Sequence, residues 1–205
     1  MTVLFADLRG FTTFAEGNTP AAVVTHLNEH LTVMSDVIQR HGGTVDKFIG
    51  DAVMAFWGAP LPDAEHAVHA CAAAREMLSI LDRKNEERIV RGQPMVDMGV
   101  GINTGAMIVG NMGSLKRFNY TVIGDAVNLA SRLESITKEF HERILVGPRT
   151  RELAASRFGF RALGEVSVKG KQERVAVFSL QETAEALASS APAKQASPPA
   201  RARRP

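Results

Sequence analysis

The sequence predicts an α+β domain with a ferredoxin-like βαββαβ core, extended at its carboxyl end by additional strands and a helix. Three observations carry that expectation. Apolar residues switch between alternation and helical spacing in the order strand, helix, strand, strand, helix, strand. The pair Gly50-Asp51 joins the second and third of those strands as a two-residue Gly-X turn. The chain, 205 residues long, suits one domain that buries its core unaided.

The first strand reads Thr2-Val-Leu-Phe-Ala-Asp7. Thr19 and Pro20 then offer an N-cap and a first helical residue, and Val23, Leu27, Leu31, Met34 and Ile38 recur at helical spacing until Gly42-Gly43 stops the run. The hairpin spans Val45 to Trp57. Asp63 is placed to cap a second helix, with Val68, Cys71, Leu78 and Leu81 on its apolar side and its periodicity lost in the charged stretch Asp82 to Arg91. Val96 to Asn103 is the next strand. Ala106 to Gly110 and Arg117 to Ile123 read as two more, joined by the arm Asn111-Met-Gly-Ser-Leu-Lys116. A helix from Asp125 to about Lys138 follows, then a short strand at Ile144-Leu-Val146, a short helix from Pro148 to Arg157, and strands near Phe160–Val168 and Val175–Leu180. Residues 1–184 form the expected domain. Residues 185–205, rich in Ala, Ser, Pro and Arg with almost nothing to bury, are expected to be a disordered tail.

Composition narrows the function classes. The formal charge is +2, and Lys194, Arg201, Arg203 and Arg204 against Glu182 and Glu185 account for all of it. A neutral body without a basic stripe interleaved with aromatics argues against nucleic-acid binding. No apolar stretch approaches a membrane span and no cleavable leader follows Met1, so a cytoplasmic location is expected. Cys71, the single cysteine, lies in an Ala-rich helical stretch and reads as a buried packing thiol.

Two aspartates stand where apolar runs stop: Asp7 after the first strand and Asp51 at the hairpin tip. Hard oxygen donors on rigid elements suit Mg²⁺ and a phosphate substrate. A third segment, Tyr120-Thr-Val-Ile-Gly-Asp-Ala-Val-Asn-Leu-Ala-Ser-Arg132, closes a strand and opens a helix. Asn128 and Arg132 lie four residues apart there, on one face that can grip an anion.

These segments, in this order, resemble the catalytic domain of class III nucleotide cyclases, which make cyclic AMP or cyclic GMP from the triphosphate. The resemblance runs from the first strand to about Leu180. It implies that Asp7 and Asp51 hold two Mg²⁺ or Mn²⁺ ions per site, with the main chain at Leu8 joining the metal set. The main chain through Phe11 and Thr12 is placed to receive phosphate. It implies that Asn128 orients the ribose and Arg132 stabilises the pentavalent phosphate. In Val168-Lys-Gly-Lys171, Lys169 is preferred to Lys171 as the phosphate-gripping lysine. Lys47 and Thr121 fall at the two base-specificity positions. Lysine can donate to N1 of adenine and threonine can accept from its amino group, whereas guanylyl members typically carry a carboxylate at the position of Lys47. The chain therefore resembles the bacterial or soluble-type adenylyl subgroup, with ATP as substrate. Family sites lie between two chains packed head to tail, and this chain holds both half-sites, so a homodimer with an inert monomer is implied. Many relatives carry sensory or membrane domains upstream.

Other motifs are weaker. His26-Leu-Asn-Glu-His30 fits an inverted zinc-protease pattern, but Leu27 and Leu31 face the expected core and the histidines flank that stripe as packing or solvated groups. The glycines of Gly99-Val-Gly101 lie inside a strand and are expected to permit close backbone packing. The rival readings are a guanylate cyclase and a catalytically silent, dimerising nucleotide-binding signalling domain. Chemically competent residues at every matched position oppose the second.

Overall fold

The computed structural model describes residues 1–114, 116–167 and 174–181. In chain order its elements are β1 (Thr2–Arg9), α1 (Phe11–Glu16), α2 (Pro20–Arg40), β2 (Thr44–Ile49), β3 (Ala52–Trp57), α3 (His66–Val90) and β4 (Asp97–Thr104). These are followed by β5 (Ile108–Ser114), β6 (Arg117–Ile123), α4 (Asp125–Ser135), β7 (Ile144–Val146), α5 (Pro148–Ala154), β8 (Gly159–Ser167) and β9 (Arg174–Gln181). The main sheet has the order β2-β3-β1-β4-β7-β9-β8. Its first four strands pair antiparallel in the ferredoxin-like order, and β7 adds in parallel to β4.

Strand alternation divides the core between the two faces of this sheet. Leu4, Ala6 and Leu8 pack with Met34, Val37 and Ile38 of α2 and with Ala70, Cys71, Ala74 and Met77 of α3. Val3 lies on the opposite face with Met54, Phe56, Val122 and Ala130, and Phe5 packs against that group. Asp7 shares the parity of Val3 and Phe5, so it belongs to the face covered by α4 and the β5–β6 ribbon.

The close approach of α4 depends on a missing side chain. A Cβ on Gly101 would lie 2.2 Å from the Ala130 carbonyl oxygen and the Glu134 nitrogen. Only glycine lets the helix backbone lie directly on β4, as its place inside a strand predicts.

Five local expectations are corrected. β1 continues through Leu8 and Arg9 because β4 pairs with it as far as Arg9↔Asp97; only its pairing with β3 stops early, at Ala6↔Val53. Asn111 to Ser114, read as part of a connecting arm, are strand: β5 and β6 pair from Ile108↔Ile123 to Ser114↔Arg117. Helix α3 runs on through the charged stretch to Val90. Lys, Arg and Glu are good helix formers, and Asn85 clamps both the N–H and the carbonyl of Val96 beside that turn. Asp63 does not cap α3, which begins after Glu65; it accepts instead from the Glu65 N–H and binds His69 Nδ1 at 2.8 Å. Helix α4 also ends at Ser135, before the expected Lys138.

Candidate active site

The hairpin turn places the first group. Gly50 takes a φ of 65° while Asp51 keeps a negative φ, the pattern of a tight turn with glycine at its first central position. The β1–β3 pairing ends at Ala6↔Val53, and beyond it the Asp7 and Asp51 side chains come within hydrogen-bond reach. The Asp7 carboxyl is pushed up to about 6 by burial first, then by the Asp51 charge and a side-chain hydrogen bond with Asp51. The Leu8 N–H and the Lys138 charge oppose that rise. Glu134, at the end of α4, is likewise raised to about 6, mainly by burial and then by Asp7. Three carboxyl groups thus crowd one polar mouth.

The residues present fit a divalent cation that prefers oxygen. Asp7 and Asp51 are hard donors held close at the cost of mutual repulsion, which a bound cation would relieve. Among the described residues, no cluster of three or more His, Cys, Asp or Glu side chains forms a closed metal cage. Two carboxylates with the remaining positions left to water and substrate phosphate is the habit of Mg²⁺.

A second group lies on the same face, where β2 meets β6. Lys47 Nζ donates to Thr121 Oγ1 at 3.1 Å, so the two residues predicted to read the base are in contact. Between them sits Asp46, which sequence reading missed. A β-bulge between Val45 and Lys47 leaves Asp46 without a partner on β3. Its side chain is 0% exposed, accepts from the Thr121 hydroxyl at 2.5 Å and the Val122 N–H at 3.3 Å, and lies 3.1 Å from Lys47 Nζ.

On α4, Ala126, Leu129, Ala130 and Leu133 are buried, which turns Asn128 and Arg132 together to the exposed side. Phe11 and Thr12 open α1 directly after Gly10, whose left-handed φ of 77° turns the chain out of β1. The N–H groups of this first turn precede the first helical bond, Phe14 N–H to the Gly10 carbonyl at 3.1 Å. Lys169, with Lys171, lies outside the described residues.

Asp7 has Asp51, Glu134 and Lys138 as charged neighbours, whereas Lys47 contacts Asp46 and Thr121.

The sequence model of the "Adenylate and Guanylate cyclase catalytic domain" family matches residues 1–182. The chain belongs to this family. It is 36% identical over 180 residues to adenylate cyclase 1 of Rhizobium meliloti, covering 88% of this chain and 27% of that protein. To the adenylate cyclase of Anabaena cylindrica it is 38% identical over 188 residues, covering 88% and 36% respectively. It therefore spans well under half the length of these curated relatives. Among solved structures, the adenylyl cyclase CyaB from P. aeruginosa superposes with a TM-score of 0.83 at 36% identity, over 89% of this chain and 93% of the other. The guanylyl cyclase Cya2 gives 0.78 at 38%, over 90% and 92%.

In this cyclase-family domain the signals for the missed residues were faint. An aspartate inside a strand is unfavourable on the pleat, so Asp46 was the one hint of a bulge. Glu134 reads as an ordinary polar helix residue until Gly101 brings α4 onto β4. Large apolar side chains also crowd the surface around the hairpin tip and the ribbon: Phe48 is 47% exposed, Ile49 54%, Ile108 67%, Phe118 58% and Ile123 50%. A two-stranded ribbon gains little stability alone. Of the histidines in the protease-like pattern, His30 packs buried in α2 and is pushed down to about 4 by burial, then by His26 and Lys84. Burial raises the Cys71 thiol to about 12, which leaves it a packing group.

Proposed function

We propose that this domain converts ATP to 3′,5′-cyclic AMP and pyrophosphate, in a head-to-tail homodimer whose two sites each draw on both chains. Residues 1–184 are the catalytic unit and 185–205 an appended tail. The observation that carries the adenylyl reading is the Lys47–Thr121 contact, one donor and one acceptor side by side at the base-specificity positions. Adenine offers an acceptor at N1 and a donor at its amino group, and guanine offers the reverse. Overall likeness does not choose the base, since one adenylyl and one guanylyl structure superpose about equally well.

In the reaction the ribose 3′-oxygen forms a bond to the α-phosphorus, the bond from that phosphorus to the bridging oxygen of the pyrophosphate breaks, and the 3′-hydroxyl proton leaves to solvent. Asp7 and Asp51 of one chain, with the Leu8 main chain, would hold two Mg²⁺ or Mn²⁺ ions. When bound, these ions supply the positive charge that acidifies the hydroxyl and offsets the triphosphate. Lys47 and Thr121 of the other chain seat the base. Asn128 orients the ribose, so that the 3′-hydroxyl lies in line with the leaving oxygen. Arg132 donates to the equatorial phosphate oxygens, where charge builds in the transition state, and Lys169 grips the departing phosphates. Phe11 and Thr12 offer main-chain N–H groups to the triphosphate.

The exposed Phe48, Ile49, Ile108 and Phe118 supply an apolar surface for the partner chain to cover. Among the described residues no helix is long and apolar enough to cross a membrane. The use of ATP as substrate implies work in the cytoplasm.

Purified chain incubated with ATP or GTP, and with Mg²⁺ or Mn²⁺, tests the reading by cyclic product and pyrophosphate. We expect kcat/KM for ATP to exceed that for GTP by at least about tenfold. Equal values would remove the adenylyl assignment, and nucleotide binding without product would favour the silent signalling domain.

A further inference from the structure

We propose that Asp46 is a positioning residue for base selectivity: it takes the only proton of the Thr121 hydroxyl and so makes Thr121 an obligate acceptor. The inference rests on the adenylyl reading of Lys47 and Thr121 and deepens it. A threonine hydroxyl is ambidextrous, with one proton to give and two lone pairs to receive. Free to rotate, it would accept from the amino group of adenine or donate to the 6-oxo group of guanine. A lone Thr121 would therefore tell the two bases apart poorly.

The structure removes that freedom. Asp46 Oδ2 lies 2.5 Å from Thr121 Oγ1 and also accepts from the Val122 N–H at 3.3 Å. A carboxylate has no proton to return, so the shared proton belongs to Thr121. Lys47 Nζ, at 3.1 Å, donates to one Thr121 lone pair and leaves the other for a ligand. The second Asp46 oxygen is buried and lies 3.1 Å from Lys47 Nζ, an ion-pair contact without hydrogen-bond geometry, which holds the ammonium beside the hydroxyl. The β2 bulge is what brings the carboxylate inward. Asp46 is the added residue between Val45↔Ala55 and Lys47↔Met54, and its side chain is wholly buried. Burying a carboxylate is costly, and an apolar replacement for such an ion pair is often neutral or stabilising. Stability alone therefore gives little reason to keep Asp46 there, whereas fixing the polarity of Thr121 does.

The test compares nucleotides that differ at N1 and at position 6 but share the absence of a 2-amino group. Asp46→Asn is close to isosteric, yet its amide can donate to Thr121 and turn the hydroxyl round. The ratio of kcat/KM for ITP to that for ATP should rise roughly tenfold in Asp46→Asn, about the worth of one mispaired hydrogen bond. In a Thr121→Val background the same substitution should change the ratio less than about twofold, because the hydroxyl through which it acts is gone. Thr121→Ser, which keeps the hydroxyl and its partner, should hold the ratio of the unmodified chain. Displacement titrations with 3′-deoxy-ATP and 3′-deoxy-ITP read the same ratio as binding, without turnover. An unchanged ratio in Asp46→Asn, an equal change in the Thr121→Val background, or lost selectivity in Thr121→Ser would each overturn the proposal. The ratio of ATP to GTP in the unmodified chain tests the adenylyl reading separately.

Discussion

Two aspartates of one hairpin, Asp46 and Asp51, are treated in opposite ways by the fold. Asp46, at the bulge, is wholly buried and reached by the Thr121 hydroxyl, the Val122 N–H and the Lys47 ammonium. Asp51, at the tip, faces Asp7 at a mouth that also holds Glu134; the Asp51 charge raises the proton affinity of Asp7, and the Asp7 charge that of Glu134. The chain satisfies the first carboxylate internally and leaves the second to be completed from outside. On the proposed function, that difference separates a preassembled recognition element from a half-built ion site. Preorganisation helps where a fixed donor and acceptor pattern must be read, and uncompensated charge helps where a cation must be captured.

The sharpest way to break this division is to damage the two regions in different chains. Asp51→Ala alone and Arg132→Ala alone should each lose at least about 10³-fold in turnover. In a head-to-tail dimer, mixing the two variants gives one site with both defects and one with neither. Random pairing makes about half the dimers mixed, so activity should return to roughly a quarter of the unmodified level. Product formation against protein concentration, after subunit exchange shown by labelled chains, checks this. No return of activity would place each whole site within one chain.

A smaller effect sharpens the contrast through stability. The folded Asp7 carboxyl titrates near 6 against an ordinary 3.8, so its contribution to stability is greatest below about 3.8 and is lost as pH rises through about 6. Asp7→Asn should therefore abolish metal-dependent turnover yet raise the metal-free protein's stability at pH 7. Solvent screening reduces the gain to about 1 kcal/mol, or roughly 2–4 °C in Tm. Thermal unfolding in chelator, with and without the substitution, measures it. A lower Tm would mean that Asp7 is satisfied within the chain, as Asp46 is.

The smallest expected change in function comes from a site outside both regions. His30 is pushed down from 6.5 to about 4, chiefly by burial, so its contribution is present above about 6.5 and lost as pH falls towards 4. His30→Gln should reduce the acid sensitivity of folding over that window by about 2 kcal/mol, with turnover at pH 7.5 nearly unchanged. Urea denaturation at pH 7.5 and pH 5 reads the slope. An identical slope in both proteins would show that His30 stays neutral in the unfolded chain as well or charges freely in the fold.

What the sequence determined by itself was local or periodic. The hairpin at Gly50-Asp51, the helical stripe through Leu31, Met34 and Ile38, the tight packing allowed by Gly101 and the shared face of Asn128 and Arg132 follow from turn chemistry and from periods of two and 3.6 residues. The family likeness added the pairings Asp7 with Asp51 and Lys47 with Thr121, which the fold brings into contact. Tertiary structure decided the rest. Whether β1 ends at Asp7 depended on β4 pairing beyond it, and whether Asn111 to Ser114 was arm or strand depended on a partner, because strand hydrogen bonds join residues distant in sequence. The roles of Glu134 and Asp46 were set in the same way. One is brought to the acidic mouth by a helix resting on a glycine, and the other is turned inward by a single added residue in a strand. No local pattern of charge or hydropathy encodes either placement, since each arises only when separate segments pack against one another.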